Sequence, residues 1–462
     1  MPARFVNLDR DTPMLLPCDL RDWLPSDHIV RFILEAVEQI PTAQFHVNER
    51  GTGSPQYPPA MMLSLLIYCY ATGRSGSRTI EGATHTDVAV RYICANLHPD
   101  HDSICEFRRQ NKKGIESAFV KVLQLARELK LTRVGTISID GTKILANASK
   151  HSAVSYERAG QMIEQLQLEV HELLEKAETA DAQERSCGLD LPAELARREK
   201  RLEALREARR VIEQRAQEVA AAKQNQYEEK VAERQTQREK GGKPRGPEPQ
   251  PPSSEPDAKS QYNFTDPESR IMKAGSSGHF EQAYNAQAAV DQNMLIVGAH
   301  LTQAPNDKEQ LVATLAVVEP SIRKEVGVVL ADSGYYSEAA IQGVEQTPEG
   351  RESGVKVYAA VERQSHHRTI EDLLQKEDPA APGENATPKE RMAHRLKSKA
   401  GRELYRLRKQ TVEPVFGIIK EVMGFRRFRL RGRENVSLEW KLVCLSYNLK
   451  RMFVLRNQAQ GG

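Results

Sequence analysis

Apolar and polar residues alternate through the first half of residues 135–147, GTISIDGTKILAN, and β-branched side chains fall on the apolar beats. That period of two predicts a strand. The strand runs into Asp140, followed by Gly141 and Thr142. Asp-Gly is a common hairpin turn, and a carboxylate at a strand's edge suits a hard divalent cation, so this stretch alone leaves both readings open. Residues 326–336, VGVVLADSGYY, repeat the form: an apolar, β-branched run closes on Asp332 before small, turn-forming residues. Two strands that each end in Asp point to a shared site at the sheet edge of an α/β domain.

Upstream, residues 1–130 read as a helical N-terminal, DNA-binding domain. Pro58-Pro59 opens a helix whose residues 60–70, AMMLSLLIYCY, are nearly all apolar and so predict burial on every side. After the break at residues 73–77 (GRSGS), residues 78–92 predict a second helical segment, and His101-Asp102-Ser103 caps a third. Short helices parted by Gly and Ser turns are compatible with a helix-turn-helix unit and equally with a plain helical bundle. Arg74, Arg78, Arg108, Arg109, Lys112 and Lys113 are the residues best placed there for a DNA backbone.

Downstream of Asp140, Ile163, Leu166, Val170 and Leu173, then Leu195, Leu202, Leu205, Ile212, Ala216 and Val219, recur at helical spacing among charged residues. They predict a helical hairpin or short coiled coil over residues 158–237, turned around residues 186–192 and serving dimerisation or as an arm along a ligand. Residues 238–262, rich in Pro, Gly and Ser, read as a flexible linker. Two antiparallel strands follow at 283–291 and 294–302, then a helix capped by Pro305-Asn306-Asp307, the Asp332 strand, and a strand at 355–361. Residues 362–392 read as a mobile loop; helical patterns run from Lys397 through Glu413 to about Lys420 and over residues 436–453. With the insertion set aside, three antiparallel strands followed by helices and parallel strands is the layout of a ribonuclease H-like α/β domain, formed by residues 131–157 and 263–435, with 436–462 as a C-terminal helix. Asn306, Asp291 and Glu309 read as caps or structural acids.

Composition adds less than charge distribution. The 462 residues carry 66 Lys and Arg against 63 Asp and Glu, a net charge of +3, so bulk charge names no partner. No apolar run of membrane-spanning length and no apolar N-terminal leader are present, which predicts a soluble cytoplasmic protein, nucleoid-associated if it binds DNA. Six scattered cysteines do not form a disulfide framework; Cys94, His98, His101 and Cys105 lack the usual zinc spacing and read first as a buried thiol with loop histidines. Between Arg391 and Arg433, however, fourteen Lys or Arg face only Glu403, Glu413 and Glu421. That imbalance predicts a polyanion partner, and Arg426, Arg427, Arg429 and Arg431, interleaved with Phe428 and Leu430, suit phosphate contact and stacking. Glu413 sits within this stretch among Val412, Val415, Phe416, Ile418 and Ile419, on a helix packed to a core, where a ligand role is the better explanation.

IDGTKILAN around Asp140, LADSGYYS around Asp332, and Y-x2-R-x4-E-x6-K from Tyr405, Arg408, Glu413 and Lys420 resemble the three motifs of the DDE transposases of bacterial insertion sequences, in the subgroup with a Tyr-Arg-Glu-Lys signature. The family usually has three residues between that Arg and Glu; here there are four. Residues 58–81 and SICEFRR are also similar to the region preceding the catalytic domain in that subgroup. The resemblance implies Mg²⁺-dependent cleavage at the element's ends and strand transfer into target DNA, with two metal ions, for which Mn²⁺ substitutes, held by Asp140, Asp332 and Glu413. It also implies that Lys420, Arg408 and Tyr405 contact DNA, with terminal inverted repeats and target DNA as partners of a homodimer or higher multimer. A non-catalytic DNA-binding relative and a ribonuclease H-like nuclease without strand transfer are the alternatives.

Overall fold

The structure, a computed structural model, describes residues 19–47, 56–183, 191–239, 247–274, 278–347, 350–361, 378–383 and 386–460. The chain forms two compact units, residues 1–144 with 284–462, and residues 145–283.

Eight strands are described: β1 (Thr136–Leu145), β2 (Ala153–Ser155), β3 (Gln261–Asn263), β4 (Arg270–Ala274), β5 (His279–Val290), β6 (Ile296–Thr302), β7 (Val328–Ala331) and β8 (Lys356–Ala359). In the larger unit β6, β5, β1, β7 and β8 lie side by side in that order. The pair β5/β6 is antiparallel, while β1/β7 and β7/β8 are parallel. β1 is therefore the central strand, and Thr136, Ile137, Ser138 and Ile139 are all buried, as a strand covered on both faces requires. The strand continues through Asp140-Gly141 to Leu145, so the hairpin turn that this dipeptide allows does not form. Pairing with neighbouring strands overrides the local turn preference.

The helical part of this unit packs around Pro59–Ala71, in which Met62, Leu63, Leu65, Leu66 and Ile67 are at most 2% exposed. The Arg433–Gln460 helix packs on it, on the Lys112–Glu128 helix and on β6. The single segment expected at residues 78–92 is two helices, Ser77–Thr86 and Val88–Ile93, because Asp87 leaves the helix and its carboxylate accepts from Val90 N at 3.0 Å. Cys94 is a buried thiol, His98 stacks on His85, and His101 pairs with Glu81.

Arg108, expected to face DNA, is only 2% exposed. Its guanidinium donates to Tyr70 Oη at 2.9 Å and to the Ser75 carbonyl at 3.0 Å. Tyr70 in turn donates to the buried Glu439 at 2.8 Å, and the other oxygen of Glu439 accepts from the backbone N–H groups of Arg429 and Leu430. A charge this deep is tolerated only when paired, and here the pair ties the N-terminal helices to the last helix. Residues 388–392, the end of the expected loop, belong to a helix, Pro388–Lys397, opened by a Thr387–Glu390 capping box; residues 362–377 lie outside the described residues.

In the smaller unit the helices Tyr156–Gln183 and Leu191–Glu239 lie against each other as the expected hairpin, and the turn assigned to residues 186–192 falls largely outside the described residues. Val154, Ala159, Ile163, Leu166, Leu202, Leu205 and Ala208 form their shared core. At its base β2 pairs with β3, and β4 with the first residues of β5. The described part of the expected linker, residues 247–260, folds back beside the longer helix, with Glu248 paired to Arg238 at 2.6 Å.

Candidate active site

The register of two strands places the first two acids. Thr136 lies opposite Val328, Ile137 opposite Val329 and Ser138 opposite Leu330 in the parallel pair β1/β7. Continued by two residues, that register sets Asp140, midway along β1, level with Asp332, the residue after β7, about 4.8 Å apart along the hydrogen-bonding direction and on the same face. The electrostatics agree with this closeness. Asp140 is pushed up to about 7, first by burial and then by the negative charge of Asp332, against the pull of Arg408. Asp140 Oδ1 accepts from Gly141 N at 2.8 Å, and Asp332 caps a short turn by accepting from Gly334 N at 2.6 Å.

Glu413 arrives on the Lys399–Gly417 helix. That helix is pinned to β1 by Thr411, whose hydroxyl donates to Ser138 Oγ at 2.7 Å; both residues are buried. The pin lies two residues before Asp140 on the strand, and Arg408, one turn before Thr411 on the helix, contacts both Asp140 and Glu413, so the third motif lies near the first. The Arg408 guanidinium occupies the gap, 3.5 Å from Asp140 Oδ2 and 2.8 Å from Glu413 Oε1. Its side chain is 12% exposed while that of Glu413 is 46% exposed. Arg408 also lies 5.8 Å over the Tyr405 ring, and its buried Nε has no hydrogen-bond partner among the described residues.

Pro414 sits inside the helix and supplies no N–H, and from Ile418 to Val422 the backbone widens into a π-helix. Lys420 lies in that wide turn; it is pulled down by burial and by Arg426, while the charges of Asp140 and Glu421 act the other way. The ammonium therefore senses Asp140.

Three neighbours of these acids escaped the sequence reading. Asp307, assigned to a helix cap, does not cap with its side chain: the following helix, Gln310–Ala316, begins after Glu309 without a side-chain bond. Its carboxylate instead accepts from Asn285 Nδ2 at 2.6 Å and Gln287 Nε2 at 2.7 Å, with Lys143 Nζ at 3.5 Å. Asn285 and Gln287 are fully buried on β5, and Tyr335 Oη donates to Gln287 Oε1. Two amides at alternate positions of the apolar run AYNAQAAV were the available signal, since buried amides require partners. Asp291 is structural, as expected, and accepts from the backbone of Arg133, Asn293 and Leu295.

A family model described as "Transposase DDE domain" matches residues 248–449, and one described as "Transposase domain (DUF772)" matches residues 18–110. The chain is a DDE transposase of the insertion-sequence type. It is thus a DNA-transposing enzyme, of a family that generally uses divalent metal ions. No curated protein and no solved structure matches the chain. Of the cationic residues expected to face DNA, the transposase exposes Arg78, Arg109, Arg426, Arg427, Arg429 and Arg431. Arg74 is half-buried and paired with Asp87 at 2.9 Å, Arg426 is paired with Glu421, and Arg429 Nε donates to Ser75 Oγ at 3.2 Å. Phe428, expected to offer a stacking face, is 0% exposed and packs edge-on against Tyr284 and Phe425. Phe425 and Phe428 both turn inward, three residues apart, and leave Arg426, Arg427, Arg429 and Arg431 outward.

Among the described residues no three acids or imidazoles stand close enough to hold a metal ion as placed. The donor chemistry nonetheless fits one. Asp140 and Asp332 offer hard oxygens on neighbouring strands, Asp140 pushed up first by burial and then by the charge of Asp332, and the Glu413 carboxylate is bonded to Arg408.

Proposed function

We propose that this transposase cuts at the ends of its element and joins them to target DNA through a centre of Asp140, Asp332 and Glu413. The level placement of Asp140 on β1 and Asp332 just past β7, on adjacent parallel strands, carries this reading. The strand order β6-β5-β1-β7-β8, antiparallel at one end and parallel at the other, supports a ribonuclease H-like domain around that centre. Asp140 would serve both of two Mg²⁺ ions, with Asp332 on one and Glu413 on the other. Bound there, the ions, or Mn²⁺ in their place, would activate the attacking oxygen and neutralise charge at phosphorus.

The chain's own residues do the rest. Arg408 balances Asp140 and Glu413, and its planar guanidinium also suits a backbone phosphate. Tyr405 supports that guanidinium from below. Lys420, half-buried in the π turn, meets a phosphate near the cut. Outward-facing Arg427 and its neighbours bind the flanking duplex, whose sequence their phosphate contacts do not read. A homodimer or higher multimer that pairs the two terminal repeats fits a reaction with two ends, and the helical hairpin, as a coiled-coil arm, is available for that pairing. Labelled end DNA incubated with the protein and Mg²⁺ tests the proposal: joined products are expected. Cut but unjoined ends would leave a nuclease, and intact bound ends a binding protein.

A further inference from the structure

The smaller unit holds a pocket of about 490 Å³ at the base of its helical hairpin, lined by both helices, by β2 and by Phe264. Val154, Met162 and Leu205 give it an apolar lining, and Phe264 adds a ring that is 45% exposed. A lone exposed ring is ordinary; this one is held in place. The Phe264 N–H donates to the Ser152 carbonyl at 2.9 Å, and the ring meets Tyr262 edge-on with centroids 5.4 Å apart. Tyr262 in turn carries the Arg215 guanidinium 5.8 Å from its ring. On the preceding residue, the buried Asn263 side chain donates to the Ser149 carbonyl and accepts from the N–H groups of Thr265 and Asp266. The backbone is therefore fixed on both sides of the ring.

Charge is the second observation. None of the residues lining the pocket is acidic, and two of them are Arg158 and Arg201. On the longer helix Arg197, Arg198, Arg209 and Arg210 are each paired with a glutamate three or four residues away. Arg158 and Arg201 have no acid at those spacings, and no ion pair or hydrogen bond to either guanidinium is found among the described residues. Two free guanidinium groups beside a fixed ring and an apolar lining match a phosphate chain and a base.

We propose that this pocket takes single-stranded DNA, an unpaired base stacking on Phe264 while Arg158 and Arg201 hold adjacent phosphates. Bases inside a duplex are stacked on one another and offer no free face, so the ring selects an unpaired one. DNA is the polyanion this enzyme acts on. The site is separate from the centre of Asp140, Asp332 and Glu413 and does not depend on it.

An oligothymidine of about twelve nucleotides carrying one 5-iododeoxyuridine, irradiated with the full chain, tests this. Cross-links should fall in the tryptic peptide of residues 260–270, which contains Phe264, and should vanish in Phe264→Ala. By fluorescence anisotropy Phe264→Ala should bind unmodified oligothymidine about tenfold more weakly, and Phe264→Trp at least as tightly as the unaltered protein, with duplex binding unchanged in both. Arg158→Gln with Arg201→Gln should lower the slope of log K against log salt for the single strand by about 1.4. These side chains are exposed, so thermal melting should show every variant folded. Cross-links confined to other segments, or oligothymidine affinity untouched by Phe264→Ala, would overturn the proposal. So would equal weakening of duplex binding, which would leave only a phosphate contact.

Discussion

Gly141→Ala probes the packing behind Asp140 with a single methyl group. The new Cβ would stand 2.2 Å from Gln287 Nε2, 2.8 Å from Asp307 Oδ1 and 2.9 Å from Asn285 Oδ1, all closer than unbonded atoms tolerate. Gly141 is not in the left-handed region, so alanine brings no backbone strain there; crowding alone decides the sign. Overpacking a well-filled interior costs about 1–3 kcal/mol. Moving the Gln287 amide also breaks its bonds to Asp307 at 2.7 Å and Asn285 at 3.1 Å, and a buried amide left without them costs about 1–3 kcal/mol more. Against this stands a gain of about 0.5–1 kcal/mol from replacing glycine within a strand. The net loss is about 1–5 kcal/mol, centred near 3, a large share of the stability of an ordinary domain. Urea unfolding followed by circular dichroism should show a midpoint lower by about 1 M. Cleavage under folding conditions should fall as well, because the displaced amides no longer fix the wall beside Asp140. A variant with an unchanged midpoint and normal cleavage would refute the close packing of β1 on the Asn285–Gln287 face.

Other expectations follow from the charges. Asp140 titrates at about 7 in the fold against 3.8 for an unperturbed Asp carboxyl, so its protonated form favours the folded state. Its contribution to stability is therefore absent above about pH 7, grows as pH falls through 7, and is complete below about 4, at up to roughly 4 kcal/mol. In melts at pH 8 and pH 6 the unaltered protein should gain stability on acidification relative to Asp140→Asn; equal pH responses would contradict the burial of Asp140 beside Asp332. Arg108→Met removes the cation that balances the buried Glu439 through Tyr70 and leaves the Ser75 carbonyl without that donor, and should cost about 3–5 kcal/mol in urea unfolding, with the salt dependence of DNA binding unchanged. A changed salt slope in a folded Arg108→Met protein would return that residue to the DNA surface. Conversely, Arg426→Ser with Arg427→Ser should reduce the slope of log K against log salt by about 1–2, with no loss of stability; an unaltered slope would show that this strip faces elsewhere.

The sequence was most informative where short-range pattern and strand geometry coincide. Asp140 and Asp332 each end an apolar β-branched run, and parallel pairing of those runs brings them level. It was least informative where one residue type serves two purposes. Pro305-Asn306-Asp307 is a fitting helix start, and only the buried amides of β5 reveal that the aspartate turns the other way. Arg108 lies four residues after the buried Ile104 on one helix, so its inward direction was open to inspection, but the partner that makes burial tolerable, Glu439, lies on the last helix. The π turn that carries Lys420 is a departure that a period of 3.6 does not register.

The central claim is that acids from three distant segments act as one centre. Labelled end DNA should be bound by Asp140→Asn, Asp332→Asn and Glu413→Gln about as tightly as by the unaltered protein. With Mg²⁺ present, each variant should leave that DNA uncut. Cutting at the unaltered rate by any one of them, with DNA binding intact, would contradict the account.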